Sequence, residues 1–172
     1  LFVFMADELT VSNNFLKDKY GGKIIVHGRD TDTFNPKKFN KNRIKEAIGI
    51  PENKKVVSFI GTPQVYKGNE DLIEAFEGVE SKSAYLLLVG LGSDTYSRRI
   101  KEMVESKLEI GSYKLLGKQP FKKLPEFVVA SDVFVIPQRN NVATKGQLPA
   151  KIFDAMSLEI PVITSPVGDI RH

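Results

Sequence analysis

From Lys55 onward, short runs of consecutive apolar residues alternate with stretches in which apolar positions recur every three or four residues. The runs Val56–Ile60, Tyr85–Val89, Tyr113–Leu116, Val133–Ile136 and Pro161–Thr164 predict five strands. Between them the period changes to that of a helix. A helix opening at Asn69 or Glu70 carries Leu72, Ala75, Phe76 and Val79 on one face. Ser93 is the expected N-cap of a second, with Tyr96, Ile100, Met103 and Val104 inward. Leu124–Ala130 reads as a short third helix, and Pro149 suits the first turn of a fourth over Ala150–Leu158.

These strands are apolar continuously rather than alternately, which is how strands covered on both faces read. Together with strict β–α alternation, that predicts an α/β fold with a doubly wound parallel sheet. Ligands in such sheets bind beyond the carboxyl ends of the strands. Gly61-Thr62, Gly90-Leu91-Gly92, Gly117-Lys118, Pro137-Gln138 and Ser165–Gly168 therefore fall along one functional edge.

The first 50 or so positions differ. Asp7–Ser12 reads as a strand running into a helix cap, Lys23–Val26 as a short strand and His27–Pro36 as a polar loop. Asn42–Ile48 reads as a short helix that Gly49-Ile50-Pro51 ends. Leu1–Gly22 is expected to be the tail of a preceding domain, and the chain stops where a sixth βα unit is expected.

Composition narrows the chemistry. The 172 residues, 41% hydrophobic and 27% charged, suit a globular domain. There are no cysteines and two histidines, so disulfides and cysteine-ligated metals are excluded and no metal site is expected. No apolar run approaches the roughly 20 residues of a membrane helix, and Leu1–Met5 is too short for a signal segment, so a cytoplasmic location is expected. The net charge of +4 comes from scattered lysines, densest at Lys37, Lys38 and Lys41, without the interleaved aromatics of a single-strand nucleic-acid binder. No nucleic-acid partner is expected.

Two positions carry candidate chemistry. The turn Gly61–Gly68 joins a strand to a helix and holds Lys67 at its mouth, where free N–H groups and a cation would meet a phosphate. It has neither the Walker nor the Gly-x-Gly-x-x-Gly spacing, and from spacing alone Lys67 is equally an exposed lysine in a turn. In Pro149–Met156, Asp154 projects roughly 180° from Ile152 and Met156, toward the polar side of the helix. A carboxylate there could accept both hydroxyls of a ribose, although on chemistry alone a solvated surface acid is the commoner reading.

An ordered set of motifs bears on the choice. Ala6–Ser12 resembles the segment A-D-x-(hydrophobic)-x-V-S of the group 1, retaining glycosyltransferases of the two-Rossmann-domain (GT-B) fold. Val26–Pro36 resembles that family's I-x-N-G-V-D-x-x-x-F-x-P, and Gly61, Lys67-Gly68 and Leu72–Phe76 resemble V-G-R…K-G…L-I-x-A-F. Leu86–Gly92, Ala130–Pro137 and Pro149–Met156 with Pro161–Ile163 resemble L-x-(hydrophobic)-V-G-x-G, A-D-x-F-V-x-P-S and P-x-K-x-x-E-x-M-A-x-G-x-P-V-I.

This resemblance implies the C-terminal, nucleotide-sugar-binding half of a GT-B enzyme. Residues 1–22 would be the tail of its N-terminal domain, 23–54 the interdomain segment and 55–172 the donor domain. It also implies that Gly61, Thr62 and Lys67 meet the donor diphosphate, Gly117 and Lys118 the base, and Leu148, Pro149, Ala150 and Lys151 the donor through a loop and helix start. Asp154 would hold the ribose. No cofactor or metal is implied, since the nucleotide-diphosphate sugar is substrate. The partner would be the acceptor-binding half of the same protein, on which any peripheral membrane contact would fall. Thr62 stands where many members have an arginine, Gly146 where the first acid of E-x7-E belongs, Asp154 replaces a glutamate, and Glu159 a glycine. Two other readings stay open. One is a GT-B nucleotide-sugar epimerase, which needs acids and a histidine that this edge mostly lacks. The other is a non-catalytic α/β binding module.

Overall fold

The computed structural model describes residues 3–79 and 82–171. Leu1 and Phe2 of the expected tail, and His172, lie outside the described residues. The main body is a parallel sheet of β3 (Lys55–Ile60), β4 (Ala84–Leu91), β5 (Tyr113–Gly117), β6 (Val133–Ile136) and β7 (Val162–Thr164), in the order β5-β4-β3-β6-β7. All five predicted strands are present, and the fold is a Rossmann-like, doubly wound α/β architecture as the pattern predicts.

Successive strand residues face opposite layers, and both layers are apolar. Val56, Ile60, Tyr85, Leu87, Val89, Phe134 and Ile136 enter one core cluster. Phe59, Leu86, Leu88 and Val135 enter the other. The second cluster is closed by α3 (Asn69–Glu77) and α4 (Thr95–Lys107) through Leu72, Ile73, Phe76, Ile100 and Val104. The first is closed by α5 (Leu124–Val129), α7 (Lys151–Ser157) and α2 (Lys41–Ala47), joined by Phe34 and Ile50. The stretch between β2 and β3 therefore supplies core side chains.

Several local expectations shift. The N-cap of α4 is Asp94, whose side chain accepts from Ser97 N, rather than Ser93. Val79 lies beyond the end of α3 and is exposed, because Gly78 already terminates that helix. A short helix not expected from the pattern, α6 (Val142–Lys145), is nucleated by a capping box between Asn141 and Thr144. At the other end of the chain, β1 (Thr10–Val11) and β2 (Lys23–Ile24) pair in parallel around α1 (Asn14–Tyr20) as a separate small sheet. Asn13 caps α1 and donates to Lys145 O at 3.3 Å, while Asn14 N and Nδ2 donate to Asp169 Oδ2 at 2.8 and 2.7 Å. These bonds hold α1 against α6 and the C-terminal turn.

The chain runs outward from β3 to β4 and β5, then returns to place β6 beside β3. The crevice beyond the carboxyl ends of β3 and β6 is thus the topological switch point. The loops there are tightly apposed. Arg139 N donates to Tyr66 O at 2.9 Å, and a Cβ on Gly68 (φ 66°) would lie 1.9 Å from Pro137 O.

Gly90 and Gly61 approach each other in the same way, since a Cβ on Gly90 (φ 111°) would lie 2.6 Å from the Gly61 carbonyl carbon. Gly90→Ala should therefore lower unfolding free energy by about 2–4 kcal/mol, combining backbone strain with an unrelieved backbone clash. Gly111 has a similar φ of 88° but open space around it, so Gly111→Ala should cost only about 1 kcal/mol. Urea denaturation of the two variants beside the parent checks the contrast.

Candidate functional site

A cleft of about 300 Å³ opens at the switch point. Its floor is apolar, formed by Phe59, Phe134 and Ile136 at the ends of the central strands, with Leu124 and Phe121 at one side. Its charged lining is Lys67, from the turn after β3, with Lys151 and Asp154 from the first turn of α7, and Arg29. The two groups singled out from sequence, Lys67 and Asp154, therefore share one crevice. Pro149 and Ala150 line it too. Gly61, Thr62 and Lys118 line an adjoining recess, and Lys151 is common to both cavities. Leu148 and Gly117 line neither; Gly117 ends β5, and its carbonyl accepts from Gln119 Nε2 at 3.3 Å.

Asp154 is the main correction. The periodicity placed it on a polar, outward face opposite Ile152 and Met156, but it is 5% exposed whereas Met156 is 62% exposed. The reason is a covering element that helical spacing cannot reveal. Arg29, from the loop after β2, lies over this turn of α7, with its Nε in a close ion pair with Asp154 Oδ1 and its Nη2 donating to Ala150 O at 3.4 Å. The guanidinium is itself held by aromatic faces, 4.9 Å from the centroid of Phe34 and 5.8 Å from that of Phe121. Arg29 is a site residue that the motif reading passed over. Its signal was an arginine where the resembled pattern has valine.

Electrostatics follow from burial. Desolvation pushes the Asp154 carboxyl above the usual carboxylate range, while Arg29 and Lys151 pull it back. Burial lowers the Lys67 ammonium below its ordinary value. Lys151 is lowered by burial and then by the neighbouring charge of Lys67, with Asp154 opposing and Arg29 adding to the shift. Lys67 donates to Thr62 O at 2.7 Å, and the Lys151 side chain lies over Gly61, whose missing Cβ would sit 2.8 Å from Nζ. With three cations to one acid, the cleft is suited to an anion of more than one charge.

The two sequence departures differ in kind. Thr62 is at the recess rim and presents its carbonyl to Lys67. Gly146 faces α1, where a Cβ would lie 3.3 Å from Leu16 Cδ2 and 3.6 Å from Phe15 Cδ1. Gln138 and Gln147, which the motifs did not mark, line the cleft in their own right. Among the described residues no cluster of three or more His, Cys, Asp or Glu could hold a metal ion. No described helix is long and apolar enough to cross a membrane.

Residues 40–172 match the family described as glycosyl transferases group 1. The chain is 22% identical over 151 residues to TuaC of Bacillus subtilis (strain 168), named as a teichuronic acid biosynthesis glycosyltransferase; the match covers 88% of this chain and 35% of that protein. Among solved structures, Anabaena HepE in complex with UDP-glucose superposes with a TM-score of 0.72 at 19% identity, covering 95% of this chain and 46% of that one. The C-terminal domain of a group 1 glycosyl transferase, LpcC of Francisella tularensis, gives 0.66 at 21% identity over 83% of this chain and 73% of that one. These structural likenesses show a shared fold. The chain spans about a third of the length of the curated relatives it matches.

Removing one partner of the Arg29–Asp154 pair strands a buried charge. Arg29→Met should therefore destabilise the domain by about 3 kcal/mol at pH 7. Without Arg29, the folded-state pKa of Asp154 rises further above its unfolded value. The folded form then binds a proton that the unfolded form does not, so stability falls as pH rises through the window above the ordinary carboxylate value. The deficit of Arg29→Met should shrink on acidification toward pH 5, and adding Asp154→Asn should recover most of it. Chemical denaturation at both pH values checks this; a deficit that does not change with pH would contradict it.

Proposed function

The chain belongs to the group 1 glycosyl transferases, and from that premise we propose that it is the donor-binding part of a retaining enzyme. In this reading, residues 55–172 hold a nucleotide-diphosphate sugar, residues 23–54 connect to an acceptor-binding N-terminal domain, and residues 1–22 are the tail of that domain. The sugar passes to a glycan or lipid-linked acceptor with its anomeric configuration kept, in a cytoplasmic setting. One observation carries the proposal: Lys67, Lys151 and Asp154 line the same cleft beyond the carboxyl ends of β3 and β6.

The chemistry follows from where charge develops. The bond between the anomeric carbon and the diphosphate oxygen breaks, and its electron pair leaves with the nucleoside diphosphate. A bond forms from the acceptor oxygen to the same carbon, and the acceptor proton ends on the departing phosphate. The growing negative charge needs cations and N–H dipoles fixed in advance in a water-poor site. Lys67 and Lys151 would supply the charge, with Gly61 and Thr62 letting the backbone come close. Asp154 would accept the ribose hydroxyls on the other side, with Pro149, Ala150 and Leu148 shaping that wall. Gly117 and Lys118 would meet the base. UDP-glucose binds to HepE, which has the same fold, and that supports a sugar nucleotide as the class of ligand.

Titration of the chain with UDP, GDP and ADP and with UDP-glucose, GDP-mannose and ADP-glucose, by ligand-observed NMR or calorimetry, tests this. At least one nucleotide should bind, and Lys67→Ala and Asp154→Ala should each weaken it at least about tenfold. An anion favours protonated Lys67 and Lys151, whose pKa values are lowered in the empty cleft. Binding should therefore take up protons at pH values below the ordinary lysine value, and affinity should fall as pH rises toward that value. A chain that binds none of these nucleotides would favour the non-catalytic module.

A further inference from the structure

One wall of the cleft is left unexplained by the cations and the acid. Gln138 follows β6 and is 3% exposed, and its Nε2 donates to Gln147 Oε1 at 3.3 Å. Its own Oε1 is buried with no hydrogen-bond partner among the described residues. Exchanging the amide oxygen and nitrogen would only move the deficit to the other atom. An unpaired buried polar atom is uncommon in a native fold and marks a group kept ready for something else. Both glutamines line the same cleft as Lys67 and Asp154. Gln138 adjoins Lys67, because the loops that carry them are tied by Arg139 N to Tyr66 O at 2.9 Å. Among the described residues Asp154 is the only acid lining the cleft.

Building on the donor-binding reading above, we propose that Gln138 and Gln147 hydrogen-bond the hydroxyl groups of the transferred sugar, and set the donor preference toward a neutral, hydroxyl-rich ring. A donor held at its diphosphate by Lys67 and at its ribose by Asp154 has its base on the far side of the ribose. The sugar is the part left for a wall that adjoins Lys67. A hydroxyl is both donor and acceptor, and so is an amide, so one hydroxyl satisfies the idle Gln138 Oε1 while another meets the exposed amide of Gln147. A site whose buried polar atom is paired only by the ligand discriminates strongly against a ligand lacking that group.

The test compares, for parent, Gln138→Leu and Gln147→Ala, the affinities of UDP, GDP and ADP with those of UDP-glucose, GDP-mannose and ADP-glucose. Nucleoside diphosphate binding should stay within about twofold in both variants, while the extra affinity contributed by the sugar should fall about tenfold in Gln138→Leu and less in Gln147→Ala. The Tm of unliganded Gln138→Leu should equal or exceed that of the parent, since leucine removes an unsatisfied buried amide at similar volume. A structural amide gives the opposite: a lower Tm with the sugar increment unchanged, which would overturn the proposal, as would a parent chain to which the sugar adds no affinity. Absence of binding by all the nucleotides would remove the donor-binding reading and this inference with it, an outcome distinct from nucleotide binding without sugar preference.

Discussion

The return of β6 to the side of β3 is the constraint on which the rest of this molecule depends. Asp132, one residue before β6, fixes it. Its backbone N donates to Val56 O and its Oδ2 accepts from Val56 N, both at 2.8 Å, which clamps the start of β3. Lys41 donates to the other carboxylate oxygen at 2.8 Å, Lys45 approaches at 3.7 Å, and both come from α2. The parallel register Val57↔Val133 and Ser58↔Phe134 follows. A slip of one residue would turn Phe134 and Ile136 to the opposite layer. It would also shift Pro137 and Gln138 along the sheet and undo their contact with the Lys67 turn. The geometry of the crevice is therefore decided at the amino ends of the strands, on the side of the sheet away from the candidate site.

The crevice is not electrostatically at rest. Asp154 is neutralised by Arg29, while burial lowers Lys67, and burial and the charge of Lys67 lower Lys151; among the described residues the carbonyl of Thr62 accepts from Lys67. Concentrating like charge over an apolar floor opposes folding, and a polyanionic ligand relieves it. Under the proposed donor-binding reading the cluster makes physical sense as preorganisation: the cations would already be in place, so that little reorganisation would be left for a diphosphate. In that same proposed reading the ion pair of Arg29 with Asp154 would add a competition, since a ribose would share a carboxylate that already has a partner.

Much of this was legible in the sequence because it was written in periodicity. Strands buried on both faces leave unbroken apolar runs, and all five could be found from them, as could the faces of α3 and α4. That Lys67 and Asp154 share one cleft was implied by the motif resemblance; spacing alone left each as readily a surface residue. Other features were not local. Helical spacing gives the direction of Asp154 relative to Met156, but not that a loop from before β3 crosses over it. Arg29 is brought there by Phe34 and Phe121, distant in sequence from α7. The helix α6 was hidden because its signal is a polar capping box with little apolar periodicity. The idle Oε1 of Gln138 is an unsatisfied atom, which no residue pattern records.

The same distinction bears on how Gly146 should be understood. Read against a motif, a glycine in place of an acid looks like a lost ligand. In the fold it is a packing position: α1 lies against it, held by Asn13 to Lys145 O and by Asn14 to Asp169. A longer side chain there would meet Leu16 and Phe15 before it met the cleft. What α1 gains by its close approach, the site gives up as a carboxylate, and the neighbouring residue, Gln147, is the one that lines the cleft. Thr62 fits the same pattern. The cation expected there is absent, but Arg29 and Lys151 enter from other elements and make the cleft more positive than that one position could. Both substitutions shift where the polar groups come from, from the positions that the motif marks to side chains that tertiary packing delivers.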